Sequence, residues 1–277
     1  MVKKTPLEVA VFSPANALRA QALGAYRVEL NAQGSYDDGG LTPLVSDVAS
    51  LHRPETMGDQ KLEIPIRIMI RPRPAPGPTH AEPHDFVYSD AEFQTMWDSI
   101  TAFKNLRTLN PVRGDAFVFG ILERVGPGVT PVERELAIDI RRCTMLVAHA
   151  KPMRCVFHRA FDVIANSDDW HDGLSELVRC GFTGVLTSGG DGPFYDNIDR
   201  IHRMCCQMPD LQIIVGGGVR YYNVEELLQR LDHIVRLNIW MHSSCLSHGE
   251  PTDLDPEEVD PDELIGLCSA LGLDDVD

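Results

Sequence analysis

Along the chain, short and nearly unbroken apolar runs alternate with longer stretches in which apolar residues recur every three or four positions. The runs cover residues 7–12, 27–30, 64–70, 116–122, 154–158, 184–188, 212–215 and 235–240. They are too short for helices and lack the strict polar alternation of a strand with one wet face, so they predict parallel strands covered on both sides. Between them, residues 15–23, 44–51, 90–106, 132–148, 170–179, 195–205 and 224–231 carry the helical period. The last of these shows a start signal: Asn223 is placed to cap free N–H groups and Glu226 to reach back to it. Eight strands alternating with helices predict an α/β protein, a (β/α)8 TIM-type barrel, in preference to an open doubly wound sheet.

Two stretches break the pattern, 53–63 and 72–85, the second holding Pro72, Pro74, Pro76, Pro78 and Pro83. Both read as loop insertions. The second follows the third strand directly, which puts it over the mouth at the C-terminal ends of the strands, either as a lid or as a plain surface loop. The barrel domain is expected to span 1–248. An acidic C-terminal extension, 249–277, follows, with an apolar segment at 264–273 that reads as a short helix under the barrel or as an arm exchanged in an oligomer.

Composition narrows the picture. The 277 residues are 43% hydrophobic, enough for one barrel, which takes about 250 residues. No apolar run approaches the ~18 residues of a membrane span, and the first run carries Glu8 and meets Pro14, so neither a membrane segment nor a signal peptide is expected. The formal charge is −16, but residues 250–277 alone hold 11 carboxylates and no Lys or Arg, leaving the body near −5. That excludes a generally basic surface for nucleic acid. Seven cysteines at irregular spacing, two of them adjacent as Cys205 and Cys206, form neither a disulfide framework nor a Cys-x-x-Cys pair. Reduced thiols in a cytosolic or nuclear setting fit best.

In a barrel of this kind, function is built at the C-terminal strand ends. His158 there is the strongest candidate for acid–base work, pointing inward while its neighbour Arg159 turns to a nearby carboxylate. Glu8 and Glu29 are unusual within apolar strands. Either can hold an arginine, act as a base, or bind a divalent ion together with His158. His158, Glu29 and Asp162 therefore form the candidate catalytic set. Arg71, Arg73, Arg159 and Arg220 supply permanent positive charge, while Gly216, Gly217 and Gly218 let backbone N–H groups approach an anion, with Ser188, Ser243 and Ser244 nearby. A small anionic ligand follows from this rim. The competing reading has the glycines serving tight packing and the arginines pairing with Glu29 and Asp162. Ser188 and Ser243 lie in no Gly-x-Ser-x-Gly elbow, and no dinucleotide or Gly-Lys-Ser/Thr phosphate loop occurs.

The segments Arg27-Val28-Glu29-Leu30, Gly39-Gly40-Leu41-Thr42-Pro43, Met69-Ile70-Arg71-Pro72-Arg73, Phe119-Gly120, Phe157-His158-Arg159-Ala160-Phe161-Asp162, Leu186-Thr187-Ser188-Gly189 and Gly216-Gly217-Gly218-Val219-Arg220 resemble, in this order, the CutC copper-homeostasis family. The resemblance runs over roughly residues 7–244. It implies a (β/α)8 barrel, assembly into a homo-oligomer, and a role in copper handling with copper as the ligand. The family often has Cys where this chain has Asn31. Cu(I) prefers thiolate and thioether donors, and the best local pair is His202 with Cys206, four residues apart on one helix; packing at the end of an amphipathic helix is the competing role. Cys155 and Cys245 remain further candidates. Three functions stay open: copper homeostasis through weak Cu(I) binding, an enzyme acting on a small anionic or phosphorylated metabolite, and an oligomeric scaffold without chemistry.

Overall fold

A computed structural model describes residues 4–52, 60–77, 82, 84–126, 135–232, 238–246 and 257–273. Eight parallel strands close into a barrel: β1 (Leu7–Val11), β2 (Arg27–Leu30), β3 (Ile66–Met69), β4 (Ala116–Phe119), β7 (Arg154–Phe157), β8 (Gly184–Thr187), β9 (Gln212–Val215) and β10 (Ile239–Ser243). The seam is shut by β1 on β10, with Glu8 opposite His242, while β1 also pairs β2 with Ala10 opposite Glu29.

The helices cover the barrel's outer face: α1 (Pro14–Ala22), α2 (Val45–Ser50), α3 (Asp90–Asn105), α4 (Ile140–Ala150), α5 (Phe161–Ala165), α6 (Trp170–Cys180), α7 (Ile198–Gln207), α8 (Glu225–Leu231) and α9 (Pro261–Ala270). Strand residues alternate between two environments. Leu7, Val9, Val11, Ile66, Ile68, Phe117, Phe119 and Phe157 join the large core under the helices, whereas Met69, Val118, Val156, Leu186 and Ile214 form a separate apolar cluster from the opposite face of β3, β4, β7, β8 and β9. α9 occupies the place of the helix after the eighth strand. Asp260 caps it, Cys268 packs against the chain after α1, and the Leu271 carbonyl accepts the Thr5 N–H. The segment expected under the barrel or exchanged between copies thus lies beside α1.

Several boundaries differ from the pattern of the sequence, each for a local reason. The run 116–122 ends as a barrel strand at Phe119; Leu122–Arg124 forms β5, which pairs antiparallel with β6 (Leu136–Ile138) in a ribbon of its own. The helix expected over 132–148 starts at Ile140, because the Asp139 side chain accepts the Arg142 N–H and caps it there; residues 132–134 lie outside the described residues. The eighth strand runs three residues further than expected, to Ser243, and residues 235–237 lie outside the described residues. A 3-10 turn at Phe194–Asn197 precedes α7, so the helix starts later than 195. The capping box of Asn223 and Glu226 does not form: the Asn223 amide is taken by the Arg220 N–H and the Gly218 carbonyl, and α8 starts at Glu225 with Val224 at its N-cap and no side-chain cap. A capping box is present instead at Ser89 and Glu92 of α3. Of the two insertions, residues 53–59, 78–81 and 83 lie outside the described residues, as do 249–256 and 274–277 of the acidic extension. Among the described residues no helix is long and apolar enough to cross a membrane.

Candidate functional site

The barrel interior has two unlike halves. On one side stands the apolar cluster of β3, β4, β7, β8 and β9; on the other, β1, β2 and β10 present charge. Glu8 is fully buried, and three cationic or donor groups converge on it: Arg27 Nε at 2.5 Å, Arg67 Nη1 at 3.2 Å and His242 Nδ1 at 2.8 Å. Arg67 is further tied to Gln212, and the Arg27 guanidinium stacks 3.6 Å over the Trp240 ring. Burial by itself raises a carboxyl pKa, but the two guanidiniums and the imidazole outweigh it and hold Glu8 below the ordinary carboxylate range. Burial in turn lowers Arg67 to about 9.

An ionised carboxylate only accepts, so the Glu8 contact puts a proton on His242 Nδ1, and in the neutral ring the lone pair is on Nε2. Burial works against a charge on that ring, yet the neighbouring Glu29 and Glu8 carboxylates prevail and raise its pKa. Glu29 also borders the mouth cavity. Burial, with the Glu8 charge beside it, raises its pKa, and its Oε2 has no hydrogen-bond partner. Asn31, two residues on, donates to the Glu29 carbonyl at 3.2 Å, and its Oδ1 is buried without a partner.

Above this floor lies a cavity of about 1360 Å³ at the C-terminal mouth, the expected location in this architecture. His158 lines it as predicted. Its Nδ1 accepts the Ala160 N–H at 3.2 Å, its ring lies 4.8 Å from that of Phe86, and Nε2 is buried with no partner. Burial and the Arg71 charge lower its pKa to about 3. The ring is therefore neutral at physiological pH and bears its proton on Nε2, which makes it a hydrogen-bond donor. Arg71 also borders the cavity, braced by the Asp38 and Gly40 carbonyls, by Asp85 at 2.9 Å and by the Phe86 ring. Arg220 donates to Ser243 Oγ and the Val219 carbonyl, both at 2.8 Å, and the Ser243 hydroxyl donates to that same carbonyl. Gly217 and Gly218 adopt φ of +90° and +89°, a region that only glycine enters freely. No described residue accepts their N–H groups.

Other predicted residues play supporting parts. Asp162 reaches the cavity wall but is committed: it accepts from Thr187 Oγ1 at 2.5 Å, the Ser188 N–H at 2.9 Å, Ser188 Oγ at 3.0 Å and Arg159 Nε at 2.7 Å. It pins the end of β8, and Arg159 meets it as the sequence suggested. Ser188 is fully buried, its hydroxyl held by Asp162 and the Gly190 carbonyl, and neither it nor Gly216 lines the cavity. Arg73 turns away from the mouth to Glu92 at 2.6 Å and the Val87 carbonyl. His202 and Cys206 do meet, Nε2 to Sγ 3.8 Å, on the outer face of α7. The divalent-ion grouping expected around His158 is overturned in one member: His242, not His158, stands with Glu8 and Glu29, because it faces Glu8 across the β1–β10 seam. The signal for this floor was the series Glu8, Arg27, Glu29, Arg67 and His242, charged or polar positions set into apolar strand runs.

The cavity does not suit Cu(I). Among its lining residues there is no cysteine, and Met69 is the sole sulfur. All the cysteines except Cys206 are buried, and burial pushes Cys155, Cys205 and Cys245 up to about 12, against the thiolate form that a soft ion needs.

The sequence profile of the CutC family matches residues 5–236. A CutC family protein of Treponema denticola is 31% identical over 229 residues, covering 82% of this chain and 78% of that protein. The crystal structure of CutC from Streptococcus agalactiae, provisionally assigned to copper homeostasis, has a TM-score of 0.67 at 26% identity and covers 87% of this chain and 98% of that one. N-(5'-phosphoribosyl)anthranilate isomerase from Pyrococcus furiosus, at a TM-score of 0.54 and 12% identity over 97% of this chain and 98% of that one, shares the fold alone.

The tautomer of His158 can be checked directly. Its folded pKa is depressed, so the unfolded chain, with histidine near 6.5, takes up the proton first as pH falls. The stability tied to His158 is complete above about pH 6.5 and is lost progressively toward about pH 3. Imidazole 15N NMR is expected to show His158 as the Nε2–H tautomer, without titration between pH 8 and about 5. A midpoint near 6.5 for this ring contradicts the assignment.

Proposed function

The chain belongs to the CutC family, and from that footing we propose that its mouth cavity binds a small anionic metabolite, of the phosphorylated class, and polarises it for reaction. The observation that carries this reading is the set of unspent donors on one cavity. The Nε2–H of His158 is buried without an acceptor, and Gly217 and Gly218, whose N–H groups no described residue accepts, line the same space with Arg71 and Arg220. The glycine loop after the seventh barrel strand, with Arg220 and Ser243, holds the anion. His158, kept neutral, donates to a carbonyl or oxyanion of the ligand and takes no proton itself, a role distinct from the proton transfer expected of it. Thermal unfolding in millimolar inorganic phosphate is expected to show a higher Tm for the wild-type protein, with Arg220→Gln losing about tenfold or more in apparent affinity. No stabilisation by phosphate, sulfate or ribose 5-phosphate sinks this reading.

A second reading rests on the family's connection to copper and on the His202–Cys206 pair. It makes Cu(I) a weakly held cargo on the outer face of α7, away from the cavity. The cytosolic or nuclear setting and the homo-oligomeric state belong to the same proposal, supported by seven cysteines that form no disulfide and by family membership. Titration of reduced protein with Cu(I) against a chromophoric chelator is expected to show one site that disappears in the His202→Asn/Cys206→Ser double variant. Equal competition by wild type and double variant removes direct copper binding at this pair.

A further inference from the structure

We propose that the floor of the cavity is a divalent-cation site, with His242 Nε2 and Glu29 Oε2 as protein ligands and Glu8 as the residue that positions His242. One ligand atom from each of Glu8, Glu29 and His242 lies within 4.8 Å of the others. The three do not play equal parts. Glu8 Oε2 is engaged by Arg27 and Arg67, and its Oε1 receives the Nδ1–H of His242. That contact turns the Nε2 lone pair of His242 outward and fixes the ring, the arrangement by which carboxylates orient metal-binding histidines.

Glu29 supplies the independent observation. It is 3% exposed, and its Oε2, at the cavity floor, finds no donor among the described residues. A buried carboxylate oxygen without a donor is costly. Arg27 and Arg67 pair with Glu8, and neither donates a hydrogen bond to Glu29 Oε2. A cation bridging Nε2 and Oε2 satisfies both acceptors at once. His242 comes from β10 and Glu29 from β2, on either side of β1, so the site spans the seam at which the barrel closes.

The donor chemistry sets the class of ion. One imidazole nitrogen and one carboxylate oxygen suit Mn2+, Co2+ or Zn2+ and supply none of the sulfur donors that soft Cu(I) prefers. Because the Glu8 charge is absorbed by two guanidiniums, the ligand pair carries one negative charge. Protein donors alone therefore bind the ion moderately, and the open coordination positions face the cavity, where an anion completes them. This site stands apart from the anion reading in its test, since the ion can be titrated with no anion present.

The experiment is titration of chelator-treated full-length protein with Mn2+, following free ion by electron paramagnetic resonance, with Co2+ absorption as a second readout. One saturable Mn2+ per chain is expected. Glu29→Gln, which keeps the size of the side chain, is expected to weaken binding by about tenfold or more, as is His242→Gln, while Asp172→Asn, exposed on α6, leaves it unchanged. Circular dichroism of each variant establishes folding; should His242→Gln fail to fold, Glu29→Gln decides. Absence of saturable binding to the wild type, or wild-type affinity in Glu29→Gln, overturns the site. Phosphate-dependent stabilisation of the same samples then shows whether the anion reading stands on its own.

Discussion

A carboxylate sealed inside a barrel has to be neutralised where it stands, and Glu8 is answered from three strands at once. Arg27 comes from β2, Arg67 from β3 and His242 from β10, so one buried charge ties β1 to both of its neighbours and to the strand beyond. Such a network adds little net stability compared with a well-packed apolar core. Once present, though, no member can be withdrawn without leaving an uncompensated charge. What it secures here is orientation. The bond to Glu8 places a proton on His242 Nδ1, while Glu29 Oε2 beside it is left without a donor.

The asymmetry of the interior follows from the same arrangement. Five strands fill their share with Met69, Val118, Val156, Leu186 and Ile214, while β1, β2 and β10 supply the charged groups. The cavity above thus has a wall of acceptors near Glu29 and a wall of donors near His158, Arg71 and the Gly217–Gly218 turn. Its two histidines are opposites. His242 gives its Nδ1 proton to a carboxylate and keeps a basic Nε2, whereas His158 accepts a backbone N–H at Nδ1 and keeps its proton on Nε2. Opposed environments for two rings in one cavity are the mark of divided chemical labour.

Much of this architecture was legible in the residues themselves. Parallel strands covered on both faces leave unbroken apolar runs, and those runs located the barrel strands. The eighth was misplaced because its inner face carries Trp240 and His242, which disguise the end of the strand. The Asn223 cap failed for a competitive reason: Arg220 and Gly218 offered the amide nearer partners. At the site, His158 and the glycine turn could be placed because function gathers at strand ends, and Arg159 met Asp162 as alternation suggested. The Glu8–His242 contact joins residues 234 apart in the chain, and only closure of the barrel brings them together. Arg73 illustrates the converse: it occupies a strand-end position like Arg71, yet Glu92 draws it out of the mouth.

The dependence of this interior on Glu8 can be measured by equilibrium urea unfolding of Glu8→Gln at neutral pH. The substitution preserves size but removes the charge and turns one acceptor oxygen into a donor, leaving Arg27 and Arg67 buried beside a neutral amide. A loss of about 3–5 kcal/mol is predicted. A loss below about 1 kcal/mol, the range of an exposed ion pair, would contradict the account.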